Sequence, residues 1–228
     1  MKRLVVLTGA GISAESGVKT FRDAGGLWEG HDVMEVASIE GWHKNPSLVL
    51  DFYNKRRADL KTVAPNLAHR LLQELEHYFE VTIITQNVDN LHERAGSKQI
   101  VHLHGELTKM KSLKNPHIIL ESKPEVLIGD LAEDGSQLRP HIVWFGEAVP
   151  EIENAIEIVK KADILVIIGT SMQVYPAASL VEYAKSEVPI YYIDKNPADV
   201  YLPYNPITVW KMEATKGVQK LFDTLVEK

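Results

Sequence analysis

Two histidines one residue apart, His102 and His104 in the run His102-Leu103-His104-Gly105, are the side chains best suited to move a proton near neutral pH. Two chemistries are open to them: metal ligation with partners elsewhere, or general-base work by one of the pair. The chain contains no cysteine, which removes thiolate zinc sites. His117 and His141 are the only histidines in the stretch 106–145, and neither has a neighbour at zinc-ligand spacing. Polar clusters recur elsewhere, at Gln86-Asn87-Val88-Asp89, Gly169-Thr170-Ser171 and Asp194-Lys195-Asn196. Near the start, Gly9-Ala10-Gly11-Ile12-Ser13-Ala14 fits G-x-G-x-x-G/A with alanine in the last place. Glycines there let backbone N–H groups reach a pyrophosphate at a helix start, but a tight strand-to-helix turn needs glycine too, so both readings stand. The acidic residue that dehydrogenases place about 20 residues further on is missing.

Each cluster follows a short apolar run: Leu4–Leu7, Val81–Ile84, Ile164–Ile168 and Ile190–Ile193, with a fifth run at Ile207–Trp210. Apolar runs without alternation suit strands covered on both faces. Amphipathic stretches at about 66–77, 151–161, 176–185 and 215–226 read as helices. The expected fold is α/β, a Rossmann-like, mostly parallel sheet with helices on both faces. In such sheets ligands bind beyond the carboxyl ends of the strands, so the clusters should converge on one crevice. Residues 24–61, with a helix opening at Asn45-Pro46, and the irregular stretch 106–145 break the rhythm. They should form a smaller inserted module, leaving about 1–23, 62–105 and 146–228 as the large part of a single catalytic domain.

A chain of 228 residues with net charge −6 lacks the basic surface that tracks nucleic-acid phosphates. No apolar run approaches the ~20 residues of a membrane span. Met1-Lys2-Arg3 imitates an export signal, but the apolar run after it breaks at Thr8-Gly9. With no cysteine either, the expectation is a cytoplasmic protein, and a monomer.

GAGISAESGVKTFR (9 to 22), TQNVDNLHERAG (85 to 96), HLHG (102 to 105), IVWFGE (142 to 147) and GTSMQVYPAA (169 to 178) resemble, in order, the motifs of the sirtuins, NAD-dependent protein-lysine deacylases. The resemblance implies a Rossmann-like domain with a small domain beside it, and NAD meeting an acyl-lysine between them. By that resemblance Gly9, Ala10, Gly11, Ser13, Phe21, Arg22 and Trp28 would surround the phosphates and nicotinamide ribose. Gln86 and Val88 would add to the ribose side, and Asn87 and Asp89 would shape the nicotinamide pocket and take part in catalysis. Gly169, Thr170, Ser171, Asp194, Lys195, Asn196 and Ala214 would hold the adenosine half; Asp194 departs from the asparagine common there. Val143, Trp144, Phe145, Gly146, Glu147 and Val174 would pair with substrate backbone as added strands. His104 would be the base that takes a ribose hydroxyl proton, giving free lysine, nicotinamide and O-acyl-ADP-ribose. Many sirtuins hold a zinc with four cysteines; here Ser112 stands near the first such position. A zinc-free module held by Ile118, Ile119, Leu120, Val126, Leu127 and Ile128 is expected instead.

Tyr53 and Arg56, at i and i+3, share a helix face and resemble the Tyr-x-x-Arg signature of class III sirtuins. Ala24 agrees with the roomy pocket of that branch. A guanidinium and a phenol can grip an acyl carboxylate, so succinyl- or malonyl-lysine is the preferred substrate, with acetyl also accepted. Protein mono-ADP-ribosyl transfer, or a non-catalytic module that binds NAD or ADP-ribose, are the alternatives. Asn87, Asp89 and His104 speak against the last, because a sensor needs no proton acceptor.

Overall fold

The computed structural model describes residues 1–19, 27–28 and 30–226, and only the backbone of Leu27. Strand Arg3–Thr8 alternates its side chains between two layers. Leu4 and Val6 join a core with Ile83, Val166 and Ile168, while Val5 and Leu7 join another with Ile84, Leu165 and Ile167. Both faces are dry, and the run therefore reads as continuously apolar.

Six parallel strands make the main sheet. Their order is Ile207–Lys211, Ile190–Asp194, Ile164–Ile168, Arg3–Thr8, Glu80–Thr85, Ile100–His102. The chain winds outward in one direction from Arg3–Thr8 and in the other from Ile164–Ile168, a doubly wound order whose switch lies between those two strands. Helices Leu67–Glu74 and Ala214–Val226 cover one face through Ala68, Leu71, Leu72, Val218 and Leu221. Helix Ile152–Val159 and the segment Ala177–Tyr183 cover the other. That segment, expected as a helix over 176–185, is a 3₁₀ helix. Ser179 closes on the Pro176 carbonyl with its N–H at 3.1 Å and its hydroxyl at 2.8 Å, an i, i+3 closure that goes with tighter winding.

The helix expected at Asn45-Pro46 runs over Pro46–Leu60, with Asn45 Oδ1 accepting the Leu48 N–H at 3.1 Å and proline in the first turn. Against it packs a three-stranded antiparallel sheet, Gly105–Ser112 between Ile119–Glu121 and Leu138–Ile142, so 106–145 is not irregular. The apolar set expected to hold this part is also corrected. Ile119, Leu120, Leu127 and Ile128 are 43 to 55% exposed; Val126 is buried and Ile118 partly so. The long central strand supplies the interior instead, through Leu107 and Met110, with Leu138 and Ile142 beside it and Phe52, Tyr53 and Trp144 above. Among the described residues no helix is long and apolar enough to cross a membrane.

Candidate functional site

The carboxyl ends of Arg3–Thr8, Glu80–Thr85, Ile164–Ile168 and Ile190–Asp194 open onto one cleft of about 1180 Å³. Gly9, Ala10, Gly11, Trp28, Tyr53 and Arg56 line it, as do Gln86 to Asp89 and His104. So do Val143 to Glu147, Gly169 to Ser171, Val174, Asp194 to Asn196 and Ala214. Ser13 lies behind the wall, 1% exposed. Phe21, Arg22 and Ala24 fall outside the described residues.

At the switch between Arg3–Thr8 and Ile164–Ile168 the two following loops touch. Gly11 N donates to Gly169 O at 2.8 Å, and a Cβ added to Gly9 or Gly11 would stand 2.6–2.7 Å from atoms of Gly169 or Thr170. Gly169 itself has φ +61°. The glycines are thus required by loop-on-loop contact. Since Gly9 N and Gly11 N are both engaged, of these loop amides only Ala10 N lacks a partner among the described residues, which narrows the expected cradle of N–H groups.

The second loop is held from beneath. Asn87 N donates to Thr85 Oγ1 at 3.0 Å, and Asn87 Nδ2 donates to Gly9 O at 3.1 Å and Ser13 Oγ at 3.3 Å. Its Oδ1 has no partner among the described residues. Ser13 Oγ donates to Asp89 Oδ2 at 2.9 Å, and Asp89 Oδ1 accepts the Leu91 N–H at 3.1 Å. Burial raises the Asp89 carboxyl above its usual range, against the lowering effect of these two donors. Gln86 Nε2 donates to Thr170 Oγ1 at 3.1 Å, tying this loop to the next.

His104 Nδ1 lies 3.1 Å from the Gln86 carbonyl oxygen. A carbonyl only accepts, so Nδ1 carries the proton and Nε2 keeps a lone pair. Burial lowers the imidazole below its ordinary value, partly offset by that bond, so the ring is neutral at pH 7. A neutral, oriented imidazole at the wall of a cleft can act as a base. His102 does not continue a strand into His104: the strand ends at His102, and a turn follows. His102 Nδ1 nevertheless meets the next carbonyl, Asn87 O, at 3.1 Å, while its Nε2 is 2.5 Å from Glu93 Oε1. Glu93, His102 and Glu106 bring potential metal-ligating atoms within 4.8 Å of one another, but both nitrogens of His102 are engaged and Glu106 is paired with Lys109 at 2.7 Å.

Also at the cleft wall, Tyr53 is fully buried, and its hydroxyl oxygen accepts the Trp144 indole N–H at 3.0 Å. Burial raises the phenol, keeping it a neutral donor. The Arg56 guanidinium stacks on Trp28 at 4.2 Å from the ring centroid. Trp28, expected among the cofactor contacts, therefore sits with the Tyr53–Arg56 pair.

The stretch 143–147 is corrected in one respect. Val143 N donates to His104 O, Phe145 N to Ala37 O and Glu147 N to Trp144 O, and Trp144 N donates to the Glu147 carboxylate at 2.9 Å. Glu147 also takes both guanidinium arms of Arg139, at 2.6 and 3.0 Å. Among the described residues only Gly146 keeps an N–H without a partner in this stretch, so it offers an added strand one backbone donor rather than a full set. Trp144 is a core side chain, 2% exposed.

At the other end Asp194 Oδ1 accepts the Asn196 N–H at 2.7 Å, and burial raises its carboxyl. Lys195 pairs with Glu213 at 3.4 Å. Glu15 was not anticipated from sequence: it lines the cleft and accepts both Thr215 N and Oγ1, at 2.9 and 2.6 Å, joining the first turn to the last helix. Nothing in its local spacing signals a contact across 200 positions.

Sheet order, glycine-lined switch and convergent loops define a doubly wound α/β protein that takes a ligand at its topological switch. The model of the Sir2 family matches residues 9–176, and the chain belongs to that family. It is 58% identical over 227 residues to the NAD-dependent protein deacylase of Helicobacter pylori (strain ATCC 700392 / 26695), covering 100% of this chain and 99% of that protein. It is 59% identical over 232 residues to the NAD-dependent protein deacylase of Bacteroides thetaiotaomicron, covering 99% of each. Among solved structures, a Sir2 homolog–NAD complex superposes with a TM-score of 0.85 at 35% identity, covering 99% of this chain and 90% of that one.

Proposed function

We propose that this protein removes acyl groups from protein lysines with NAD as co-substrate. The observation that carries this is the His104 Nδ1 to Gln86 carbonyl contact, which leaves Nε2 basic in a cleft shared with Asn87 and Asp89. The cleft fits the dinucleotide: it is roomier than the ~300–1,000 Å³ of ordinary small-molecule sites, and the glycines at 9, 11 and 169 let the two loops at its base close on one another. The names of the relatives and the NAD complex of the structural neighbour point the same way. Bound NAD supplies an electrophilic ribose carbon with nicotinamide as its leaving group. In this reading the Asn87 Oδ1 faces the carboxamide, Asp89 and Ser13 fix the loop, and His104 Nε2 takes a proton from a ribose hydroxyl. Asp194 to Asn196 and Ser171 hold the adenosine end. The acylated peptide lies between Gly146 and Val174.

We further propose that the acyl chain carries a carboxylate, succinyl or malonyl, with acetyl also accepted. Tyr53 and Arg56 line the same cleft, and because the Trp144 N–H occupies the Tyr53 oxygen, the phenol proton is left to donate. The test is incubation of the purified chain with NAD and matched acetyl- and succinyl-lysine peptides, following nicotinamide and deacylated peptide by mass. Absence of turnover on both would overturn the reading. ADP-ribosylated peptide would replace it with protein ADP-ribosyl transfer.

A further inference from the structure

His102 and His104 flank Leu103 and reach successive carbonyls of one loop, those of Asn87 and Gln86, each at 3.1 Å. The acceptors decide the protons. Asn87 O can only accept, so His102 Nδ1 is an N–H; the Glu93 carboxylate, 2.5 Å from Nε2, can also only accept, so Nε2 is an N–H as well. His104 is thus a neutral ring with a free lone pair, whereas His102 is an imidazolium that donates on both sides.

We propose that His102, clamped between the Glu93 carboxylate and the Asn87 carbonyl, is a positioning residue that holds the 86–89 loop in the form that presents Asn87 to the cleft. The proposal rests on the deacylase reading for its catalytic consequence, though the clamp itself exists without substrate. Asn87 is fixed through its own N–H by Thr85 and through its amide by Gly9 and Ser13; the carbonyl is the remaining backbone handle, and His102 takes it. Loss of one proton from His102 would leave a single N–H for two acceptors and release one end of the clamp. The surrounding charges favour the imidazolium: Glu93 on helix Leu91–Ala95, and Glu106 on strand Gly105–Ser112, itself paired with Lys109 at 2.7 Å. Asp89 and His92 also lie within electrostatic reach, and His92 is held neutral by burial. Burial opposes both charges, but the bond between the two groups and the neighbouring charges outweigh it, so the ring is raised above its ordinary value while Glu93 is lowered.

The first readout needs no cofactor. NMR titration of the ligand-free protein should show the His102 ring losing its second proton above the ordinary 6.5. In Glu93→Gln the titration should move to lower pH; Glu93 is exposed, and this variant is expected to fold. The second readout is the pH profile of kcat/KM for NAD. The wild-type alkaline limb should move to lower pH in Glu93→Gln. His102→Ala should lose about tenfold, with the peptide KM within about twofold. His102→Gln, which can still donate an N–H to Asn87 O, should recover part of that loss and show no limb from position 102. A His102 ring that titrates below 6.5, or an alkaline limb unmoved in Glu93→Gln, would overturn the proposal. A wild type without turnover would remove the deacylase reading, and the ring titration would still decide the clamp.

Discussion

Trp144 donates its indole N–H to the hydroxyl oxygen of Tyr53 at 3.0 Å, and the two rings lie with centroids 6.3 Å apart. Both side chains are buried, so the bond fixes the phenol's rotation and leaves its proton with one direction to point. Tyr53→Phe should lower succinyl-lysine turnover by about tenfold or more, from loss of a hydrogen bond to a charged group, with acetyl-lysine turnover changed by less than about threefold. Trp144→Phe should give the same pattern more weakly, since the hydroxyl stays but is no longer aimed. Paired kcat/KM values for the two peptides check this; equal losses on both would remove Tyr53 from acyl recognition.

His104 must be neutral to accept a proton, and burial lowers its value below the ordinary 6.5. The limb set by this ring should therefore lie in acid, at a value beneath 6.5, with the base fully available at pH 7. His104→Ala should reduce kcat by about 10²–10⁴-fold, the usual contribution of a positioned base. A pH–rate profile with its acid limb above 6.5 would assign the base elsewhere.

The sheet and its ligand edge were legible because both depend on local pattern. Runs such as Ile164–Ile168 are apolar because each strand is covered twice, and the polar residues after them mark where the chain leaves the core. Glycine at 9 and 11 was legible as a need for closeness, but what these glycines approach is another loop, at Gly169 and Thr170, and no local pattern encodes that pairing. The edge strand Ile100–His102 is too short to show a period. In 106–145 the exposed Ile119, Leu120, Leu127 and Ile128 imitate a core, while the buried Leu107 and Met110 are diluted among polar neighbours on a strand shifted by a bulge. The roles of Glu15 and His102 are set by partners that folding brings to them from elsewhere in the chain.

Ser112, which stands near the first cysteine position of zinc-holding relatives, is 2% exposed and carries a small polar hub. Its hydroxyl donates to Asp134 Oδ2 at 2.6 Å, accepts the N–H groups of Lys114 and Asn115 at 3.1 and 2.9 Å, and lies 2.7 Å from Ser136 Oγ. These bonds join the two ends of the hairpin-like insertion with oxygen and backbone N–H groups alone. Ser112→Ala should cost about 1–3 kcal/mol by leaving buried partners unsatisfied. Prolonged chelation of the wild type should leave the melting temperature and turnover unchanged. A fall in melting temperature after chelation would show that a metal supports this part of the chain.

Two further histidines are buried where they cannot be charged. His92 Nε2 meets Thr8 Oγ1 at 3.1 Å, and its ring lies 4.9 Å from that of His69, edge to face. Neither His69 Nε2 nor His92 Nδ1 has a partner among the described residues. Burial lowers both, His69 to about 4. In the unfolded chain they would take up protons from about pH 6.5 downward, which the folded chain refuses. Their contribution is thus complete above pH 6.5 and is lost as pH falls from there towards 4, about 3 kcal/mol for His69 alone. His102 runs the other way: its raised value adds stability below 6.5 that fades as pH climbs through its folded value. Because two deeply buried rings oppose one half-buried ion pair, the sum should favour neutral pH, and the urea midpoint should be lower at pH 5 than at pH 7. His69→Gln, which cannot be protonated, should flatten that difference; an unchanged slope in the variant would mean that the acid sensitivity resides in other groups.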